Sequence, residues 1–456
     1  MKLAISLTLL LVIAFFLPLP ETSAAMDGLD PRSVRLGLAF FACIACLWMT
    51  EALPLAITAL LVPVLGAAMG LTDIKSSLVS FAHPLIFLFF GGFALAATLS
   101  AQGLDRWLAD RLAILGNGKF LPVTLWLFLG TAVLSMWISN TATTAMMIPL
   151  ALGILHRFGN AAESSRNSRF LLLGLAYSAS IGGLGTIVGS PPNGIAAKQL
   201  GINFTQWMTF GVPAVAILLP AMVAILWLLL RPSCHDIGEL PSLAESETGS
   251  FRFDLPRKIT LAIFTLTALA WIFSAKLGPL LGITDTDTWI ALAAVALLAM
   301  SKTVSWQEID RGTDWGVLLL FGGGLALSGI LSSSGASLFM ARLLGGAMHA
   351  WPFWLIIAAV VAFVIFLTEL SSNTASAALL VPIFYSMAQE SSLAPAQLVL
   401  PLALAASCAF MLPVGTPPNA IVFATGRIPL QSMMHTGIVL NLTFILLITA
   451  LSLLLF

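Results

Sequence analysis

Apolar runs long enough to cross a lipid bilayer recur along the whole of this 456-residue chain, and they constrain its fold more than any other feature. They lie near residues 3–19, 34–50, 54–70, 82–101, 121–158, 168–199, 205–230, 259–282, 287–301, 314–333, 352–387, 396–425 and 430–456. A transmembrane helix needs about 20 such residues. Only 9% of the residues are charged. An ordinary soluble domain carries about 25%, so this chain cannot cover its own surface for water. Within hydrocarbon, each backbone N–H and C=O must be satisfied inside the protein, which leaves helices or closed barrels. Runs of this length predict the helical solution, an all-α polytopic protein of the cell inner (plasma) membrane.

Other classes fall away on composition. A net formal charge of zero offers no surface for nucleic acid. Cys43, Cys46, Cys234 and Cys408 are too few and too scattered for a disulfide framework. Cys43 and Cys46 have redox-motif spacing but sit in an apolar run, where they read as small packing residues. The five histidines share no metal-ligand spacing, and no constellation of His, Cys, Asp or Ser points to an enzyme or a resident cofactor. At the N-terminus, Met1-Lys2, the stretch Leu3–Leu17 and Thr22-Ser23-Ala24 have the outline of a secretory signal. A retained first span ending at Pro18 and Pro20 is the favoured reading.

The basic residues suggest an orientation. With a cytoplasmic N-terminus, and with 121–158 and 352–387 as re-entrant hairpins, the cytoplasmic side receives Lys2, Arg106, Arg111, Lys119, Arg157, Arg166, Arg169, Arg231, Arg252, Arg257, Lys258, Lys302, Arg311 and Arg427. That is fourteen of the twenty Lys and Arg, the bias that cytoplasmic loops show. About eleven spans and two hairpins result, with the C-terminus outside. Residues 103–115 alternate Asp105, Arg106, Asp110 and Arg111 with Leu104, Trp107, Leu108 and Leu112, as in a helix lying on the membrane surface. The polar stretch 231–258 reads as a cytoplasmic linker between two halves. The first half, 1–230, holds a hairpin at about 120–158 and a broken helix at about 168–199. The second, 259–456, holds a hairpin at about 352–387 and a broken helix at about 396–425.

Three features of the first half return in order in the second. Phe90-Gly91-Gly92 is matched by Phe321-Gly322-Gly323, at an offset of 231. Ser139-Asn140-Thr141-Ala142 is matched by Ser372-Asn373-Thr374-Ala375, at 233. Gly189-Ser190-Pro191-Pro192-Asn193 is matched by Gly415-Thr416-Pro417-Pro418-Asn419, at 226. One recurring tripeptide is weak; three in the same order mark an internal repeat. In the eleven-span topology the hairpins open to opposite sides, so the repeats are inverted, as in many secondary transporters.

These motifs suit anion and cation binding. Proline pairs stop helices because proline has no N–H and clashes with the preceding turn. Broken helices at membrane depth are tolerated only where the backbone is buried in protein or lines a cavity. Freed N–H groups at a half-helix start can meet a carboxylate, and freed carbonyls can coordinate Na⁺. No Lys or Arg lies within the four motif loops; the nearest are Lys198 and Arg427. A small dianionic substrate would meet only amides, hydroxyls and helix ends, so co-bound cations are its natural compensation. Glu51 and Glu369 are ionisable groups near apolar segments, hence further candidates. The Gly91-Gly92 and Gly322–Gly324 runs read as helix-contact surfaces.

At these residues the sequence resembles the divalent anion/sodium symporter family, which includes dicarboxylate, citrate and sulfate carriers. The match is carried by Ala406-Ser407, Phe410, Pro413-Val414-Gly415, Asn419, Ile421 and Val422, by the paired Ser-Asn-Thr tips, and by Trp48–Pro54. The resemblance implies a homodimer in membrane lipid, with a fixed scaffold and a mobile transport domain working as an elevator. It implies that Asn140, Thr141, Asn373 and Thr374 hold substrate carboxylates, with Ser190, Thr416 and Pro417 lining the site. It further implies one sodium at Ser135, Ser139, Asn140 and Gly189, and a second at Thr368, Ser371, Asn373 and Gly415. Two intact Ser-Asn-Thr tips are similar to the di- and tricarboxylate branch. The expected function is therefore sodium-coupled symport of C4-dicarboxylates such as succinate, malate or fumarate, with Na⁺ as coupling ion. A sodium-independent dicarboxylate exchanger of the same fold, or a carrier of citrate or sulfate, is the alternative.

Overall fold

Many of the described helices begin where the sequence supplies a side-chain acceptor or a proline. Asp30 accepts from Ser33 N at 2.9 Å, with Pro31 in the first turn. Asn203 and Gln206 form a capping box, as do Ser305 and Glu308. Each device satisfies N–H groups that the first turn of a helix leaves free. The computed structural model describes residues 2–17, 24–115, 119–155, 161–232, 253–348 and 350–455. Among these the regular elements are helices, without strands. The proposed signal residues Thr22-Ser23, most of the linker, and the far end of the first hairpin lie outside the described residues.

The first half runs through α1 (Lys2–Phe16), α2 (Pro31–Thr50), α3 (Leu55–Ala68), α4 (Ile74–Val79), α5 (Pro84–Ala101) and α6 (Leu104–Ile114). It continues with α7 (Phe120–Ser135), α8 (Asn140–Leu155), α9 (Ala161–Gly182), α10 (Pro191–Leu200) and α11 (Phe204–Leu230). The second half holds α12 (Leu255–Ile272), α13 (Ser274–Leu281), α14 (Thr286–Met300), α15 (Trp306–Gly312), α16 (Trp315–Ser333) and α17 (Ala336–Met348). Then come α18 (Phe353–Thr368), α19 (Asn373–Glu390), α20 (Ala396–Ala406), α21 (Pro417–Ala424) and α22 (Leu430–Leu455).

Among the described residues, six helical segments are long and apolar enough to cross a membrane, or up to seven if the bent pair α13–α14 counts as one span. Several expected runs are shortened. The apolar run 259–282 is two helices, because Phe273 leaves the helical region at the end of α12, and α13 meets α14 at 89°. α3 is 14 residues long and carries Pro63.

Packing repeats across the halves. α5 lies against α14, and α3 against α16. A Cβ added at Gly91 would come 2.6 Å from Ala291 Cβ, and one at Gly323 would come 2.6 Å from Ala59 Cβ. The glycine runs thus let backbones approach, as small residues do in membrane helices. A second reciprocal set surrounds the motifs. α8 packs on α21 while α19 packs on α10; α9 packs on α21 while α20 packs on α10; α11 runs beside α22. Each half therefore rests its hairpin against the helix that follows the other half's break.

Candidate functional site

The two breaks are built by proline, glycine and one asparagine each. After α9 the chain makes a single 3₁₀ turn at Gly183–Gly185, then bends and turns through 186–189 until Pro191-Pro192 start α10. After α20 it is irregular until Pro417-Pro418 start α21. Asn193 Nδ2 donates to Gly183 O at 2.8 Å and Thr186 O at 2.7 Å. Asn419 Nδ2 donates to Ala409 O and Leu412 O, both at 3.0 Å. Both asparagines are fully buried. They act as staples, each tying two loop carbonyls that no helix can satisfy.

The hairpin tips meet these breaks. α7 ends at Ser135, and α8 restarts at Asn140. One end of the Asn140 amide lies 2.6 Å from Ser135 Oγ, 3.1 Å from Ala179 O and 3.2 Å from Gly189 O. With nitrogen at that end, the amide donates into these groups. That orientation satisfies the network as it stands; turned over, the amide would set its oxygen beside one hydroxyl and two carbonyls, donor types that a hard cation takes. The hydrogen-bond network alone fixes which end is which. The hydroxyl–asparagine pair of this construction returns in the second half, with a carbonyl on the hydroxyl. Thr368 Oγ1 lies 2.5 Å from Asn373 Oδ1 and 3.1 Å from Ala406 O. Ser135 and Thr368 are fully buried, so these oxygens are shielded from bulk water.

The two halves also touch directly. Ser190 Oγ and Ser407 Oγ are 2.9 Å apart, joining the start of one post-break helix to the end of the other half's pre-break helix. Tyr177 on α9 donates its hydroxyl to Phe410 O at 2.7 Å.

The remaining expected residues fall in different places. Ser139 Oγ accepts from Ala142 N at 3.3 Å, capping α8. Ser371 Oγ bonds Leu367 O at 3.1 Å and Ser376 Oγ at 2.7 Å, within its own hairpin. Thr416 Oγ1 accepts from Asn419 N at 3.3 Å as the cap of α21. Thr374 is buried, while Thr141 and Pro417 are exposed. Gly189 is part of the first oxygen cluster, whereas Gly415 stands beside Glu369 Oε2, which a Cβ there would approach to 3.0 Å. Glu51 is an exposed left-handed cap at the end of α2; Glu369 is buried. Lys198 is exposed on α10. Four contributors went unread in the sequence: the carbonyls of Ala179 and Ala406, the Ser407 hydroxyl, and Asn441 on α22. Asn441 and Tyr177 are polar side chains inside apolar runs, a signal that was available.

A sequence model of a family described as citrate transporters matches residues 45–396. The chain belongs to that family. An uncharacterized transporter of Haemophilus influenzae is 48% identical over 92% of this chain and 91% of its own length. A protein of Staphylococcus saprophyticus named sodium-dependent dicarboxylate transporter is 34% identical, over 92% of this chain and 86% of its own. Its Staphylococcus aureus namesake is also 34% identical, over 88% and 81%. Among solved structures, the Alcanivorax borkumensis YdaH transporter aligns with a TM-score of 0.56 at 12% identity, covering 82% of this chain and 86% of that one. That likeness concerns the fold. The resemblance to divalent anion/sodium symporters agrees with these matches, and the protein is an integral membrane transporter of the plasma membrane, not an enzyme.

Proposed function

We propose that this transporter couples Na⁺ to the movement of C4-dicarboxylates such as succinate, malate or fumarate. The observation that carries this reading is the paired oxygen cluster, Asn140 with Ser135, Ala179 and Gly189, and Asn373 with Thr368 and Ala406. Each cluster brings a hydroxyl, an amide and backbone carbonyl oxygen together without a cationic side chain. The helices that the two hairpins pack on, α10 and α21, begin after Ser190 and Thr416, and helix N-termini favour anions. A dianion brought into low dielectric costs many kcal/mol unless its charge is compensated, and two flanking cations supply that compensation. The staphylococcal relatives carry sodium and dicarboxylate in their names, which supports the same substrate class.

In this reading Asn140 and Asn373 serve two ligands, the side-chain oxygen toward a cation and the helix start toward a carboxylate. Thr141, Thr374, Ser190, Thr416 and Pro417 complete the wall around the substrate. Sodium binding orders the tips first, and the dianion then closes the site. A homodimer with a fixed scaffold and a moving hairpin domain, working as an elevator, belongs to the same proposal. The family's description favours citrate as a second substrate, to be compared in the same assay.

The test is uptake of radiolabelled succinate into proteoliposomes, with and without an inward Na⁺ gradient and with or without internal succinate. Uptake that needs Na⁺ and proceeds into empty vesicles supports symport. Uptake that ignores Na⁺ but needs internal dicarboxylate makes the protein an exchanger and removes the cation sites from the account.

A further inference from the structure

We propose that Glu369 is a positioning residue for the second cation site, clamped by Asn441, and that the first site has no such device. The inference rests on the sodium-coupled reading above and deepens it.

Glu369 follows Thr368 directly, so one backbone segment carries both the hydroxyl of the second oxygen cluster and this carboxylate. Oε1 accepts from Phe410 N at 2.7 Å, Met411 N at 2.8 Å and Asn441 Nδ2 at 2.8 Å. Oε2 accepts from Leu412 N at 3.0 Å. Three successive backbone N–H groups and one amide thus converge on a side chain only 3% exposed. Hydrogen bonds to an ionised acceptor are about twice as strong as neutral ones. The carboxylate therefore holds residues 410–412 in an unwound conformation and fixes the chain that leads to Gly415. It also places formal negative charge beside that glycine, where a Cβ would come within 3.0 Å of Oε2.

The first half solves the same problem without charge. The offset of 226 that relates Gly189 to Gly415 sets Leu184, Gly185 and Thr186 opposite Phe410, Met411 and Leu412. Offsets of 233 and 226 set Met136 opposite Glu369 and Val215 opposite Asn441. Both members of the carboxylate–amide pair are thus apolar in the first half. There the loop is held by Thr186, whose hydroxyl donates to Met136 O and accepts from Gly189 N at 3.1 Å. Glu369 acts through the backbone it shares with Thr368 and through the loop it holds, because its oxygens are occupied by four donors.

The experiment uses the full-length protein purified in detergent, with Na⁺ itself as probe. Thermal unfolding is followed while NaCl replaces choline chloride, and succinate uptake is then titrated with Na⁺ in proteoliposomes. Wild type should gain thermal stability with Na⁺. Glu369→Gln presents an amide NH₂ to N–H donors and should raise the half-saturating Na⁺ concentration about tenfold, equivalent to ~1.4 kcal/mol. Uptake should recover at high Na⁺, with a succinate KM near wild type once Na⁺ saturates. If Glu369→Gln fails to fold, Asn441→Ala carries the test, with an expected rise of about threefold from one lost charge-assisted bond. A uniform drop in melting temperature at every Na⁺ concentration, with unchanged half-saturation, would overturn the inference and leave sodium coupling standing. Absence of any Na⁺ response in wild type would overturn both.

Discussion

The two broken helices reach nearly the same shape with different chemistry. Asn193 and Asn419 staple equivalent pairs of carbonyls. Gly211 on α11 and Gly437 on α22 stand at equivalent places against those loops. A Cβ at Gly211 would come 2.7 Å from Leu184 O, and one at Gly437 would overlap the Phe410 carbonyl. Even the donor to that carbonyl is replaced rather than lost, Trp207 Nε1 reaching Leu184 O at 2.9 Å and Tyr177 reaching Phe410 O. What differs is the treatment of the N–H groups. The first loop winds into a 3₁₀ turn, whereas the second stays open around a buried carboxylate. The shared features fix where the backbone runs, and the unshared ones set the charge beside each oxygen cluster.

The largest expected contrast lies between Glu369 and Met136. Glu369→Leu leaves three N–H groups and one amide buried without an acceptor. It should cost about 3–5 kcal/mol, because each buried donor left unsatisfied costs about 1–3 kcal/mol before the loop relaxes. Met136→Leu, at the matching place, conserves volume and should cost less than about 1.5 kcal/mol. Melting temperatures in sodium-free detergent check both, and equal losses would break the comparison. A smaller effect sharpens the symmetric part. Gly211→Ala and Gly437→Ala each force a helix away from a loop carbonyl and should cost about 1–3 kcal/mol apiece by overpacking. Similar losses are expected from the two; a harmless change at either one would show that its close approach does not support the loop.

Much of this arrangement was legible in the sequence, for a physical reason. Polar tripeptides and proline pairs inside apolar runs have no purpose in a plain membrane helix, and their duplication at offsets of 233 and 226 made them stand out. What remained hidden has the opposite character. Ala179 and Ala406 contribute carbonyls, and a backbone oxygen leaves no mark on residue type. Glu369 was visible as an acid in an apolar setting, but its partners lie 41 to 43 residues ahead in the backbone and 72 ahead at Asn441. Ser139 and Ser371 carry the same hydroxyl as Ser135, yet they bond Ala142, Leu367 and Ser376 rather than the tip asparagine, a distinction that depends on helix phase at the tip. Helix length was overestimated where a non-helical residue, Phe273, divides a continuous apolar run.

The account stands on two cation clusters flanking one dianion. The most direct measurement is a double-label flux in proteoliposomes, in which radioactive sodium and labelled succinate are followed together under an imposed Na⁺ gradient. The account predicts that at least two sodium ions enter with each succinate, and that Asn140→Ala and Asn373→Ala each abolish sodium-coupled uptake. Succinate entering with no accompanying sodium would contradict it.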